Sequence, residues 1–245
     1  MNVISFERTG LGNSSYLVDI GGGRAVAVDP DRTAQRYITA AEERGLRIVA
    51  ALETHVHADF VSGARELAAA GADILAPAES ELRFPYRGLH ASERFILDGV
   101  QVEAIASPGH TPEHLSYVLR ADGRAPALFS GGSLIVGGAA RTDLITPEMT
   151  EPLTRAQFRT LHKAFGHLPD ETELYPTHGG GSFCSVGGTS SSTSTLGEER
   201  RSNPLLAMDD EEEFVRSWPA TFPAAPAYFF RMRAFNQAGP RLRRE

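Results

Sequence analysis

Thr54-His55-Val56-His57-Ala58-Asp59 follows closely on the apolar run Ile48-Val49-Ala50-Ala51-Leu52, and the rest of the chain can be placed from that junction. An unbroken apolar run of this length marks a strand covered on both faces. It stops abruptly in side chains that ionise and ligate metals. His55 and His57 stand two apart, so in an extended chain both imidazoles lie on the same side, where they can converge on one ion at about 2.0–2.1 Å. A bare H-x-H is a weak signature on its own. Asp59 two residues on, and His110 and His178 after other strands, strengthen it.

Outward from that junction the chain alternates. Residues 15–20 and 24–29 read as strands around Gly21-Gly22-Gly23, with Pro30 closing the second. Residues 33–45 read as a helix with Ala34, Tyr37, Ile38 and Ala41 on one face and Gly45 as its stop. A second helix is predicted over 62–70, and strands at 74–75, 100–106, 115–119, 127–129 and 173–175. Four apolar runs, at 48–52, 100–106, 127–129 and 173–175, each end in a polar or glycine-rich cluster. In layered α/β folds ligands bind beyond the carboxyl ends of strands, so these clusters are expected to share one rim.

The stretch 179–195 is rich in Gly, Ser and Thr, a linker-like composition. Order is nevertheless expected, because Thr195-x-x-Glu198 is a capping-box pattern and the acids from Asp209 to Glu213 suit the first turn of a helix running to about Ser217. One domain is expected over 1–245, with 179–245 a C-terminal loop and helical extension packed on it.

Composition excludes several classes. Lys+Arg 24 against Asp+Glu 31 gives a net charge of -7 without a basic block, so nucleic acid is not an expected partner. The basic end Arg241-Leu242-Arg243-Arg244 reads as a solvated tail. Cys184 is the single cysteine, which rules out an internal disulfide and a thiolate metal cluster and suggests a reducing compartment. Residues 1–10 carry Glu7 and Arg8 and no apolar signal region, and no run approaches the ~18 apolar residues of a membrane span, so a cytoplasmic protein with no membrane contact is expected.

Four motifs in order, Thr54-His55-Val56-His57-Ala58-Asp59, Pro108-Gly109-His110-Thr111-Pro112, Phe129-Ser130-Gly131-Gly132-Ser133-Leu134 and Tyr175-Pro176-Thr177-His178-Gly179, resemble those of the metallo-β-lactamase superfamily. Arg141-Thr142-Asp143 and the stretch from Gly181 through Asn203-Pro204 are similar to its persulfide dioxygenase branch, including bacterial members often joined to a rhodanese domain. No rhodanese domain is expected within these residues. The resemblance implies an α/β, metallo-β-lactamase-like αββα sandwich, with two mixed β-sheets packed face to face, helices outside and a metal at one edge.

Two positions depart from the superfamily pattern. Phe60 stands where T-H-x-H-A-D-H ends in histidine, and Gly132 stands where the third motif carries aspartate. By the resemblance, a second metal would use Asp59, position 60 and His178 with a bridging carboxylate at 132. Only Asp59 and His178 remain, as a possible second-site remnant. The first site of hydrolytic relatives uses the positions of His55, His57 and His110, all present. The persulfide dioxygenase pattern uses those of His55, His110 and Gly132, and Gly132 cannot ligate. The expectation is therefore one divalent metal on His55, His57 and His110, Fe(II) favoured and Zn(II) the alternative. Three neutral imidazoles leave the full dipositive charge on the ion, which favours Fe(II) over Fe(III) and attracts an anionic sulfur.

The function implied is oxidation of a low-molecular-weight thiol persulfide by O2 to sulfite. Alternatives are a one-zinc hydrolase of thioesters, with Asp59 as the base, and a non-catalytic member with a degenerate metal site. A homo-oligomer is possible. Arg141 is expected to hold the anionic thiol substrate with Asp143 orienting it, and Tyr175 to line the pocket, while Phe183, like other aromatics near strand ends, has packing as its commoner role. His114 reads as a polar residue entering a strand, and His90, His162 and His167 as surface groups.

Overall fold

Strand alternation sorts side chains into an inner and an outer layer. In the computed structural model, which describes residues 1–8, 10–121, 123–189 and 191–243, Tyr16 and Val18 point to one face of their strand while Leu17 between them points to the other. β1 (Asn2–Arg8), β2 (Asn13–Gly21) and β3 (Arg24–Val28) form an antiparallel meander. After helix α1 (Gln35–Glu42), strand β4 (Arg47–Leu52) adds parallel to β3. Helix α2 (Ala64–Ala69) leads to β5 (Asp73–Pro77), and β6 (Arg87–Leu89) completes a six-stranded mixed sheet in sequential order.

The second sheet has the order β14-β12-β10-β9-β8-β7. It comprises β7 (Arg94–Leu97), β8 (Val100–Ala106), β9 (Leu115–Arg120), β10 (Ala127–Gly131), β12 (Glu173–Pro176) and β14 (Ser194–Thr195). Only β10 and β12 run parallel, with helix α3 (Thr150–Arg159) in the connection between them. β11 (Gly138–Ala140) and β13 (Ser185–Gly187) make a separate antiparallel pair, so the Gly/Ser/Thr stretch does hold ordered structure. α4 (Leu196–Ser202) begins at the expected cap, where Thr195 Oγ1 accepts from the Glu198 amide at 3.2 Å. α5 (Glu211–Ser217) begins two residues after Asp209, the first acid of the run, with Asp210 as its cap.

Tyr16, Val26, Val28, Leu52, Val102, Tyr117 and Phe129 fill the space between the sheets. Leu17, Tyr37, Ala51 and Leu67 join the first sheet to α1 and α2, and Val118, Leu128, Phe158, Phe214 and Trp218 join the second to α3 and α5. Helices therefore cover both outer faces of a double sheet, the α/β αββα sandwich expected. Helix α6 (Phe229–Ala238), which no sequence pattern marked, lies against the loop after β4. Among the described residues no helix is long and apolar enough to cross a membrane. Of the basic tail, Arg244 lies outside the described residues.

Candidate metal centre

The loops after β4, β8, β10 and β12 meet at one edge, where backbone bonds stitch the sheets together. The Leu115 amide donates to Thr54 O at 2.9 Å, the Thr177 amide to Gly131 O at 2.9 Å and the Ser14 amide to Thr177 O at 2.8 Å. Asp29, at the end of β3, anchors this seam. Its carboxylate accepts from the Thr54 amide at 2.7 Å, from Thr54 Oγ1 at 2.7 Å and from Thr177 Oγ1. The rim anticipated from four strand ends is thus a single buried centre.

His55, His57, Asp59, His110 and His178 are all buried in it. Three groups bring their potential ligand atoms within 4.8 Å of one another among the described residues: His55 with His110 and His178, His57 with Asp59 and His178, and Asp29 with His55 and His57. The expected grouping of His55, His57 and His110 is not among them. Two causes draw His57 aside. Its Nε2 faces two carboxylates, Glu53 Oε2 at 3.1 Å and Asp29 Oδ1 at 3.3 Å, and its ring stacks on Phe60 with centroids 4.2 Å apart. The departure at position 60 thus does more than delete a ligand.

Each remaining histidine is fixed through Nδ1. His55 Nδ1 lies 2.8 Å from Thr54 Oγ1, and His110 Nδ1 lies 2.7 Å from Arg141 O. His178 Nδ1 lies 3.4 Å from Asp59 Oδ2 and 3.2 Å from Asn13 Nδ2, whose amide donates to Asp59 at 2.6 Å. Outer partners of this kind orient imidazoles toward a cation. The opposite nitrogens face inward: His55 Nε2 and His178 Nε2 are 3.4 Å apart, and His110 Nε2 is buried with no partner among the described residues. A buried, unpartnered imidazole nitrogen is costly unless something binds it, so the donor set fits a metal ion.

Burial is the largest influence on His55 and His110 and, with the positive field of neighbouring histidines, holds both well below the ordinary histidine value. They are neutral, as ligands must be. Burial would also lower His57, but Asp29 and Glu53 outweigh it and raise His57 to about 10. For Asp59 the tendency of burial to raise the pKa is overcome by His178, then His57 and Asn13, so the carboxyl stays ionised. That makes Asp59 a weak base. Its placement suits holding His178 better than the catalytic role expected of it.

Other expectations are also displaced. Arg141 is buried and its guanidinium is spent on Asp143, at 2.6 and 2.7 Å, while its carbonyl holds His110. It positions a histidine and has no free face for a substrate. Tyr175 lies between Tyr16 and Phe129 in the inter-sheet core, and its hydroxyl turns back to Glu173 at 2.8 Å, away from the rim. Phe183 is exposed. His114 is not a bystander: its Nε2 accepts from the Gly132 amide at 3.0 Å and its ring stacks on His55. Burial in that place lowers it to about 3.

The loop carrying the third motif closes tightly over these rings. Gly131 has φ +56°, and a Cβ there would stand 2.4 Å from Thr54 Oγ1. A Cβ at Gly132 would stand 2.6 Å from His110 Cδ2 and 3.0 Å from the Ala140 methyl. The His110 ring itself therefore occupies the room from which a side chain at 132 would start.

Sequence reading missed Asp29, Asn13, Glu53, Glu113 and Asn236. Asp29 had a signal, an acid closing an apolar strand before proline. Asn236 had none, since it reaches the centre from the other end of the chain, donating to His57 O and Phe60 O at 2.9 Å each and accepting from the Ser62 amide at 3.1 Å.

Residues 8–178 match the Metallo-beta-lactamase superfamily, and the chain belongs to that superfamily. It is 31% identical over 218 residues to the mitochondrial persulfide dioxygenase ETHE1 of Homo sapiens, covering 86% of this chain and 77% of that protein. A hydroxyacylglutathione hydrolase of Synechococcus sp. (strain WH7803) is 33% identical over 168 residues, which is 64% of this chain, and the chain spans only 61% of that hydrolase. Among solved structures, a metallo-beta-lactamase from Staphylococcus aureus subsp. aureus COL superposes with a TM-score of 0.91 at 32% identity, covering 100% of this chain and 74% of that one.

Proposed function

We propose that the chain is a mononuclear metalloenzyme that oxidises a low-molecular-weight thiol persulfide with O2, as RSSH + O2 + H2O → RSH + SO3²⁻ + 2 H⁺. The observation that carries this reading is the extent of similarity. The match to a persulfide dioxygenase runs over 86% of the chain, while the match to the hydrolase runs over 64%. Phe60 supports it further, because an apolar ring at that position offers no ligand to a second metal of the kind two-metal hydrolysis requires.

His55 and His110 would hold the metal together with a third histidine of the rim. Iron(II) bound there would supply the redox chemistry between oxygen and sulfur that no side chain can. The chain's own part is positioning. Thr54 and the Arg141 carbonyl fix two of the rings, Asp59 and Asn13 a third, and Phe60 keeps an apolar wall beside them. A cavity of about 280 Å³ opens beside Asn13 and Gly179, lined also by Glu7 and Arg8, and can receive the polar remainder of a small thiol.

Oxygen uptake and sulfite release by iron-loaded protein given glutathione persulfide are the expected results. Absence of both would remove the proposal. The hydrolase similarity favours one second reading, a single zinc activating water for thioester cleavage. Thioester turnover by the zinc form, without oxygen uptake by the iron form, would select it.

A further inference from the structure

We infer that the metal is held by the Nε2 atoms of His55, His110 and His178, and that His57 is withheld from it by its own contacts with Glu53, Asp29 and Phe60. The inference rests on the metal requirement of the activity proposed above and is independent of its substrate. It starts from where the protons must be. The Thr54 hydroxyl gives its one hydrogen to Asp29 Oδ2, so toward His55 it can only accept, and His55 carries its proton on Nδ1. The Arg141 carbonyl is an acceptor, which puts the His110 proton on Nδ1 as well. His178 Nδ1 lies between Asn13 Nδ2 at 3.2 Å, whose amide already donates to Asp59, and Asp59 Oδ2 at 3.4 Å; the carboxylate is the acceptor of the two, and we place the His178 proton toward it. Three Nε2 lone pairs then face one buried point.

A single proton can bridge the 3.4 Å between His55 and His178, but it leaves His110 Nε2 orphaned among the described residues; one cation satisfies all three at once. Two nitrogens each about 2.1 Å from one ion, at tetrahedral or octahedral angles, stand about 3.0–3.4 Å apart, so the observed separation already suits shared coordination. His57 is disposed otherwise. Its Nε2 meets Glu53 and Asp29, Phe60 covers its ring, and Asn236 holds the carbonyls on both sides of the turn. The other oxygen of Asp29 is taken by Thr54 and Thr177, so both carboxylates beside His57 are held in place, and His57 Nε2 faces them rather than His110, although neither ring nitrogen completes a hydrogen bond among the described residues.

The glycine at 132 belongs to the same arrangement. The bare Cα lets the His110 ring lie where a Cβ would be only 2.6 Å away, aimed at His178. The two departures from the superfamily pattern thus act together: Phe60 retains His57, and Gly132 admits His110.

The test uses zinc and needs no turnover. Two-bond proton–nitrogen correlation spectra of ¹⁵N-labelled protein, before and after Zn(II), report which ring nitrogens coordinate. The expected result is three Nε2-coordinated rings, His55, His110 and His178, with both His57 nitrogens unmoved. A coordinated His57 with His178 unchanged, or no coordination at all, overturns the inference. Chelator competition adds a second readout, in which His178→Ala weakens zinc at least tenfold and His57→Gln does so less than threefold; the reverse order overturns it. A zinc site as described in a protein that leaves persulfide untouched would refute the function and keep the ligand set.

Discussion

Gly132 is the residue on which the geometry presses hardest. With His110 Cδ2 at 2.6 Å from a built Cβ, even Gly132→Ala must push the imidazole out of line, and overpacking of this kind costs about 1–3 kcal/mol. A lowered denaturation midpoint and weakened metal binding are expected, read by urea titration and chelator competition. Gly132→Asp is expected to do no better, although it writes the usual carboxylate back. An aspartate variant with tighter metal would show that the His110 ring yields. That collision could not be read from the sequence, where position 132 registers only as a missing ligand. The same limit applies to His57. The H-x-H spacing correctly set both imidazoles beside the rim, but which nitrogen faces a cation depends on Asp29, 28 residues earlier, and on a stacking partner.

At the scale of elements, the loop after β4 is clamped by helix α6. Asn236 satisfies two carbonyls, Tyr228 Oη donates to Asp59 O at 3.1 Å, and Arg233 makes two bonds to Glu113, whose Oε1 also receives the Val56 amide. Asn236→Ala strands buried carbonyls, each worth about 1–3 kcal/mol when left unsatisfied. Its expected effect is a loss of that order in stability, with weaker zinc binding at a temperature where the fold is intact. Unchanged metal affinity would show that α6 merely packs on the loop. Strands covered on both faces, such as β4, were legible because their apolar runs are continuous. β1 and α6 were not. β1 has no buried position, its exposed and half-buried residues following no regular alternation, and the apolar residues of α6 do not keep to one face, since Phe230 and Phe235 stay exposed.

For the molecule as a whole, opposite shifts within one centre give a stability profile with two limbs. His55, His110 and His114 have folded values below the unfolded 6.5, so the unfolded chain binds protons that the fold refuses. Stability of the metal-free protein is therefore present above about pH 6.5 and lost below it, by up to about 1.4 kcal/mol per pH unit for each such group. His57, raised to about 10, contributes below pH 6.5 and loses that contribution as the pH climbs toward 10. Thermal melts across pH should peak near neutrality, and His57→Gln should flatten the alkaline limb alone. An alkaline limb kept by that variant would mean His57 is not charged.

The rim was visible in four apolar runs that each end in a polar cluster and the double sheet in the resemblance of four motifs to the superfamily, whereas the division of labour among the rim histidines needed contacts between the strand ends. One buried centre for one metal is the claim on which the functional account stands. Elemental analysis of anaerobically purified protein measures it directly, alongside His55→Ala and His110→Ala. About one transition metal per chain, lost in both variants, is the expected result. Two metals per chain, or a full complement retained without His55 and His110, would contradict it.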